Sequence, residues 1–225
     1  MKKIISCLIC IFLSFGAVSL CACGGSGGGS QSSPDKEPET ETWKKDNALK
    51  VLTIGNSFSD DTMEYVYFIA KDLGIENVFL GNLYIGGCTL ATHAANAKKN
   101  MPMYEYRTND SGVWNTERVY PIKRALLSQN WDFVSLQQAS GSSGMQDTYG
   151  DLAYLINYVK TYAPSAEIVW NMTWAYEQTS SHGEFVKYEN SQEKMYNCIV
   201  SAVKNCVLTQ SSVKKVIPCG TAIQN

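Results

Sequence analysis

The chain has 225 residues, 44% of them apolar and 18% charged, the balance of an ordinary globular domain able to bury a core of its own. Nineteen Lys and Arg stand against 21 Asp and Glu, and no basic cluster is longer than a dipeptide. That excludes the electrostatic footprint of a nucleic-acid binder, and nothing in the composition implies a protein partner.

Residues 1–22 read as a targeting segment. Lys2 and Lys3 precede a mostly apolar run from Ile4 to Leu20, and small residues then lead to a cysteine. The stretch Leu20-Cys21-Ala22-Cys23 resembles a lipobox. Cys23 is then expected to be the lipidated first residue of a mature protein held at the cell membrane, on its extracytoplasmic face. A plain secretory signal or an uncleaved anchor are the alternatives, an apolar run of about 17 residues being near the lower limit for spanning a bilayer. Residues 23–48 continue as a tether, with a Gly/Ser run and then Pro34 and Pro38 among acidic residues, too polar to order by itself.

From residue 49 to 225 strand and helix alternate. Leu49 to Ile54 is an apolar strand ending in Gly55, and Met63, Val66, Tyr67, Ala70 and Leu73 recur at the spacing of one helix. Val78 to Ile85 is a second strand stopped by Gly86-Gly87, after which Thr89 caps a helix to about Lys99. Residues 102–119 have the pattern of an inserted hairpin turning at Asn109-Asp110-Ser111-Gly112. Pro121 opens a helix to about Gln129, and the third strand, through Phe133 to Leu136, ends in Gln137-Gln138. Leu152, Leu155, Ile156, Val159 and Ala163 form a helical stripe broken at Pro164, and Glu167 to Trp170 is strand four. Met195, Ile199, Ala202, Val203 and Cys206 form another stripe, followed by strand five at Val213 to Ile217.

This alternation predicts a five-stranded parallel sheet between two helical layers, a three-layer αβα arrangement of flavodoxin-like type. The sequence stops eight residues after strand five, so the domain is expected to be incomplete at its carboxyl end. Ligands of such sheets bind beyond the carboxyl ends of the strands. Those ends carry Ser57, Gly86 and Gly87, Gln137 and Gln138, Asn171 with Trp174 and Tyr176, and Gln224 with Asn225. Cys88, Cys198, Cys206 and Cys219 show no zinc spacing, and on one helix Cys198 and Cys206 would lie about 12 Å apart, too far for a disulfide. They read as structural, and no metal or cofactor is expected.

The corner Gly55-Asn56-Ser57-Phe58-Ser59 has two readings. Either serine could cap the following helix. A serine lifted on a tight strand-to-helix turn is also how hydrolases expose a nucleophile, with its own N–H placed to stabilise an oxyanion. This corner resembles the Gly-Asp-Ser block of the SGNH (GDSL-type) hydrolases, with Asn56 in place of Asp. Together with YIGGCTL, WDFVSLQQ, TWAY followed by Ser-His-Gly, and IPCGTAIQN, it is similar to a little-characterised, domain-of-unknown-function branch of that superfamily from about Leu49 onward.

The resemblance implies a cofactor-free serine esterase acting on a small-molecule or glycan ester, plausibly an acetylated carbohydrate. Ser57 would be the nucleophile, with Gly87 (neighbour Gly86) and Gln138 (neighbour Gln137) as oxyanion donors. Asn56, Gln137, Trp174 and His182 would be substrate contacts. The Asp-x-x-His block that supplies the family's general base has no counterpart after strand five in this sequence. A non-catalytic carbohydrate-binding protein or a decayed hydrolase is the alternative that this departure raises. His93, at helical spacing from Leu90 and Ala97, reads as structural.

Overall fold

A computed structural model describes residues 47–224, so the targeting segment, Cys23 and nearly all of the tether lie outside the described residues. The elements run β1 Ala48–Gly55, α1 Ser57–Met63, α2 Val66–Asp72, β2 Asn77–Tyr84, α3 Leu90–Lys99, β3 Tyr104–Asn109, β4 Asn115–Tyr120 and α4 Ile122–Leu126. They continue with β5 Phe133–Leu136, α5 Leu152–Tyr162, β6 Glu167–Asn171, α6 Gln192–Ala202, β7 Val213–Ile217 and α7 Cys219–Gln224.

The strands form one sheet in the order β4-β3-β2-β1-β5-β6-β7. Five are parallel, with β2 and β5 flanking β1 and with β6 and β7 beyond β5. Numbered among themselves they run 2-1-3-4-5, the flavodoxin-like order, whose switch point lies between β1 and its neighbour β5. The sheet is wider than the five strands expected, because the inserted hairpin joins it. β3 pairs antiparallel with β2 and β4 with β3, extending one edge instead of hanging from it as a loop.

Strand side chains alternate between two cores, as their period of two requires. Leu52 and Ile54 of β1 face the side covered by α3, α4, α5 and α6, while Leu49 and Val51 face the side covered by α1, α2 and Cys219 of α7. This is the three-layer αβα arrangement. Gly81 of β2 is a close approach: a Cβ there would lie 2.9 Å from the Trp131 ring and 3.0 Å from Leu52, so the strand is bare where the indole fills the layer.

Thr89 caps α3 as expected, its Oγ1 accepting from the Thr92 N–H, and Asn100 ends it in the left-handed conformation. The single helix expected after β1 is two, broken at Glu64 and Tyr65. Asp60, Asp61 and Glu64 stand three and four residues apart, where like charges oppose a continued helix. The Glu64 carboxylate helps to hold the Asp61 carboxyl above its ordinary range, after the larger effect of burial. α4 ends at Leu126, earlier than expected, and Val203 and Cys206 lie in a π turn, Val203–Val207, that extends α6.

β4 contains a bulge. Tyr104 pairs with Tyr120 but Tyr106 pairs with Glu117, so Arg118 and Val119 together oppose Glu105. Val119 has φ 62°, a left-handed conformation that a β-branched residue rarely adopts. The extra residue reverses the alternation. Thr116 and Arg118 face one side of the sheet, while Tyr120 turns to the other and stacks on Tyr106 at 4.5 Å.

Candidate active site

Gly55 ends β1 at a place where no side chain fits: a Cβ would lie 2.7 Å from Ser59 Oγ and 2.8 Å from Gln137 Cδ. The chain then turns into α1, and Asn56, not a serine, is the cap. Its Oδ1 accepts from the Phe58 N–H at 3.1 Å and from Gln137 Nε2 at 2.7 Å, while its Nδ2 donates to the Cys88 carbonyl at 3.0 Å. Gln137 Oε1 in turn accepts from Asn171 Nδ2 at 2.9 Å. Three amides thereby join the ends of β1, β5 and β6 and the turn that follows β2.

Ser59 is wholly buried, its Oγ 2.7 Å from the Asn56 carbonyl and 2.9 Å from Asn82 Oδ1, which also accepts from Thr53 Oγ1 at 2.8 Å. Ser57 is left exposed. As the first residue of α1, it has an N–H among those that a helix cannot pair internally. Two roles that one serine could have filled are therefore divided: Asn56 and Ser59 build the corner and Ser57 presents its hydroxyl.

That hydroxyl opens onto a cleft of about 1230 Å³, lined from the strand ends by Ser57, Phe58, Ser140, Trp174, Tyr176 and His182. Asp60, Asp61 and Glu64 follow along α1 and its end, and Glu105, Arg107, Trp114, Thr116 and Arg118 come from the hairpin. The Trp174 and Phe58 rings meet edge to face at 4.3 Å. Tyr176 donates to or accepts from Ser140 Oγ at 2.8 Å and stacks on His182 at 4.6 Å.

Of the residues singled out in the sequence, Ser57, Trp174 and His182 thus come together on this cleft. Asn56 and Gln137 have a different task from the substrate contact expected of them: they are 1% and 2% exposed and hold the corner from beneath. Gln138 is likewise committed elsewhere. Its Oε1 accepts from the Leu90 and Ala139 N–H groups, and its Nε2 donates to the carbonyl and hydroxyl of Thr148, so no donor of this side chain is turned toward an oxyanion. Gly87 is exposed in the turn closed by the Cys88 N–H on the Ile85 carbonyl and has φ 64°, which glycine adopts without strain. It adjoins the corner through the Asn56–Cys88 bond and does not line the cleft.

Neither histidine is poised to take a proton from Ser57. His93 is buried, with Nδ1 2.8 Å from Tyr104 Oη and 3.5 Å from Cys88 Sγ, and burial pulls its pKa down from 6.5 to about 3. The same burial pushes the Cys88 thiol up to about 12. His182 is exposed, but its Nδ1 accepts from the Glu184 N–H at 3.2 Å. In the neutral ring that bond places the proton on Nε2, making the outer nitrogen a donor. Among the described residues no group of three His, Cys, Asp or Glu could hold a metal ion, and no helix is long and apolar enough to cross a membrane.

The hairpin residues are the part of the site that sequence reasoning missed. Arg107 Nη1 lies 2.5 Å from Asp60 Oδ1, its Nη2 lies 2.7 Å from Glu105 Oε2, and its guanidinium covers the Tyr84 ring at 4.0 Å. Arg118 reaches Glu105 Oε1 at 3.0 Å. Asp60 also accepts from Asn82 Nδ2 at 3.3 Å, joining the hairpin to the buried corner. Asn82, the amide set inside the apolar run that follows Asn77 in the strand NVFLGNLY, was the available signal.

No curated protein sequence matches the chain. Among solved structures, a DUF4886 family protein from Bacteroides uniformis is 41% identical, with a TM-score of 0.76 over 79% of this chain and 70% of that one. A protein from Slackia heliotrinireducens described as a candidate SGNH hydrolase is 20% identical, with a TM-score of 0.44 over 71% of this chain and 76% of its own. The structure of TesA is 14% identical, with a TM-score of 0.40 over 73% and 76%. Residues 50–225 match the family model of DUF4886, a domain of unknown function. By that match and the 41% identity, the chain belongs to the DUF4886 family.

Proposed function

We propose that this domain is a serine ester hydrolase acting on carbohydrate acetyl esters, with Ser57 as its nucleophile. The observation that carries the reading is the exposed Ser57 hydroxyl at the β1–α1 corner, over a large cleft and on a corner held by buried amides. Ser57 Oγ would bond to the acyl carbon and the alkoxy group would leave, taking up the proton given by the serine through a base. Water would then release the acid and restore the hydroxyl. The Ser57 N–H, with that of Gly87 if the turn swings toward the corner, would face the oxyanion, each donor contributing about 3 kcal/mol to the transition state. Trp174 offers a flat ring to a sugar face, and His182 offers an Nε2–H to a hydroxyl. The proposal includes attachment to the outer face of a membrane through lipid on Cys23, which rests on the lipobox-like sequence alone.

The test is hydrolysis of p-nitrophenyl acetate by the full-length chain and by Ser57→Ala. Imidazole is present in one arm, because it can take the serine proton in place of a side chain. Activity above the imidazole background, reduced by about 10³-fold or more in Ser57→Ala, is expected. Equal rates for the two proteins would sink the reading. A second reading, glycan binding without turnover, is favoured by the commitment of both histidines; it predicts saturable binding of acetylated glycan with no acid released.

A further inference from the structure

We propose that the β3–β4 hairpin is an extended subsite for an uncharged glycan strand, so that the cleft recognises a polymer and not only the sugar that bears the ester. The inference rests on the ester-hydrolase reading of Ser57. Its first support is size. At about 1230 Å³ the cleft exceeds the 300–1,000 Å³ or so of a site for one small ligand, and it extends from the strand ends to the hairpin.

The second support is the bulge. An uninterrupted β4 would place Tyr120 on the same face as Thr116 and Arg118. The extra residue lets both line the cleft while Tyr120 remains in the core. Val119 sits in a left-handed conformation to make this possible, and backbone strain of this sort is retained where it re-aims side chains beside a site.

The third support is chemistry. Trp114 on the hairpin and Trp174 at the strand ends both line the cleft and both pack against the core beneath α1 and α2. Two indoles on the lining of one cleft suit sugar rings, whose C–H faces are apolar and whose rims are hydroxyls. Four of the charged groups that share the lining are tied to one another: Arg107 to Asp60 and Glu105, and Arg118 to Glu105. Pairing fixes their planar edges as donors and acceptors for hydroxyl groups. The lining holds Asp60, Asp61, Glu64 and Glu105 against Arg107 and Arg118, an excess of two acids that opposes a polyanionic strand.

The experiment compares, with imidazole present to take the serine proton, kcat/KM of the full-length protein, Trp114→Ala and Arg118→Gln on p-nitrophenyl acetate, acetylated xylan as the neutral polymer and acetylated pectin as the polyuronide. Loss of one stacking platform should lower the rate on acetylated xylan about tenfold more than the rate on p-nitrophenyl acetate. Xylan should be preferred to pectin, with a gap that narrows as salt rises. Equal losses on polymer and small ester for both variants, or a preference for pectin, would overturn the inference. If the unaltered protein cleaves none of the three, the hydrolase reading has failed, and the subsite is judged by affinity electrophoresis in deacetylated xylan. Retardation that Trp114→Ala abolishes upholds it, and unretarded migration overturns it.

Discussion

The floor and the wall of the cleft are held by different forces. The floor, where β1, β5 and β6 end, is a chain of neutral amides buried to within 1–2% of complete exclusion: Asn56, Gln137 and Asn171, with Asn82 beside them. The wall, the β3–β4 hairpin, is held by ion pairs among Asp60, Glu105, Arg107 and Arg118, whose side chains are 22–76% exposed. Buried amides are costly to leave unpaired, and every side-chain N and O of these four except Asn171 Oδ1 has a partner, which restricts them to few arrangements. Exposed ion pairs are worth little and can be exchanged. The hydroxyl that would react is placed by the first kind and the surface that would recognise by the second, so position and selectivity can vary separately.

The sharpest test of that contrast is Gly55→Ala. A methyl group forced to within 3 Å of Ser59 and Gln137 should destabilise the protein by about 3 kcal/mol, at the top of the usual range for overpacking, as read by denaturant unfolding. Asn56→Asp should come next, at about 2 kcal/mol, because a carboxylate keeps the two accepting bonds but turns an oxygen toward the Cys88 carbonyl where an N–H₂ donated. A smaller loss than that of a surface substitution in either case would show the floor to be adaptable after all.

On the wall, Arg107→Gln should cost about 1 kcal/mol, with faster hydrogen exchange across β3 and β4 and no change in β1 or β5. Acid should act in the same direction. The hydrogen bond from Arg107 is the largest cause holding the Glu105 carboxyl below its ordinary 4.5. A carboxyl depressed on folding contributes stability above its unfolded pKa and loses it as pH falls through the folded value, so hairpin protection should decline below about pH 4.5. Slowest-exchanging amides that lie in the hairpin would reverse the comparison. The smallest effect is expected of Val119→Gly, which removes left-handed strain at the cost of chain entropy and should stabilise by less than about 1 kcal/mol in thermal melts.

The strands, the corner serine and the hairpin were visible in the sequence, whereas the amide chain of the floor and the joining of the hairpin to the sheet as a wall were not. Apolar runs such as Val51 to Ile54 and Phe133 to Leu136 mark buried parallel strands wherever they pack, and Gly55, Gly86 and Thr89 mark where the chain must turn. Ser57 and Trp174 followed because strand ends converge in any such sheet. The direction of an amide is another matter. Gln137 and Gln138 are adjacent and identical, yet one faces the corner and the other faces α3, a difference of strand alternation that the residues themselves do not announce. Asp60 and Arg107 are 47 residues apart, and no local pattern distinguishes them from solvated surface charges. The width of the sheet escaped for a related reason, since β3 and β4, written YEYRTN and NTERVY, carry more polar residues than a strand in the middle of a sheet.

One of those wall contacts is also a linkage. Asp60 stands on the same turn of α1 as Ser57, three residues on, and it is the residue that Arg107 grips from the hairpin. A strand of sugar seated against the wall would load that guanidinium, and the guanidinium is fastened to the turn that bears the hydroxyl. On the proposed reading, attachment far from the ester would then have a mechanical route to the Ser57 hydroxyl, through which remote binding could be spent on alignment. A shortened substrate would accordingly forfeit turnover as well as grip.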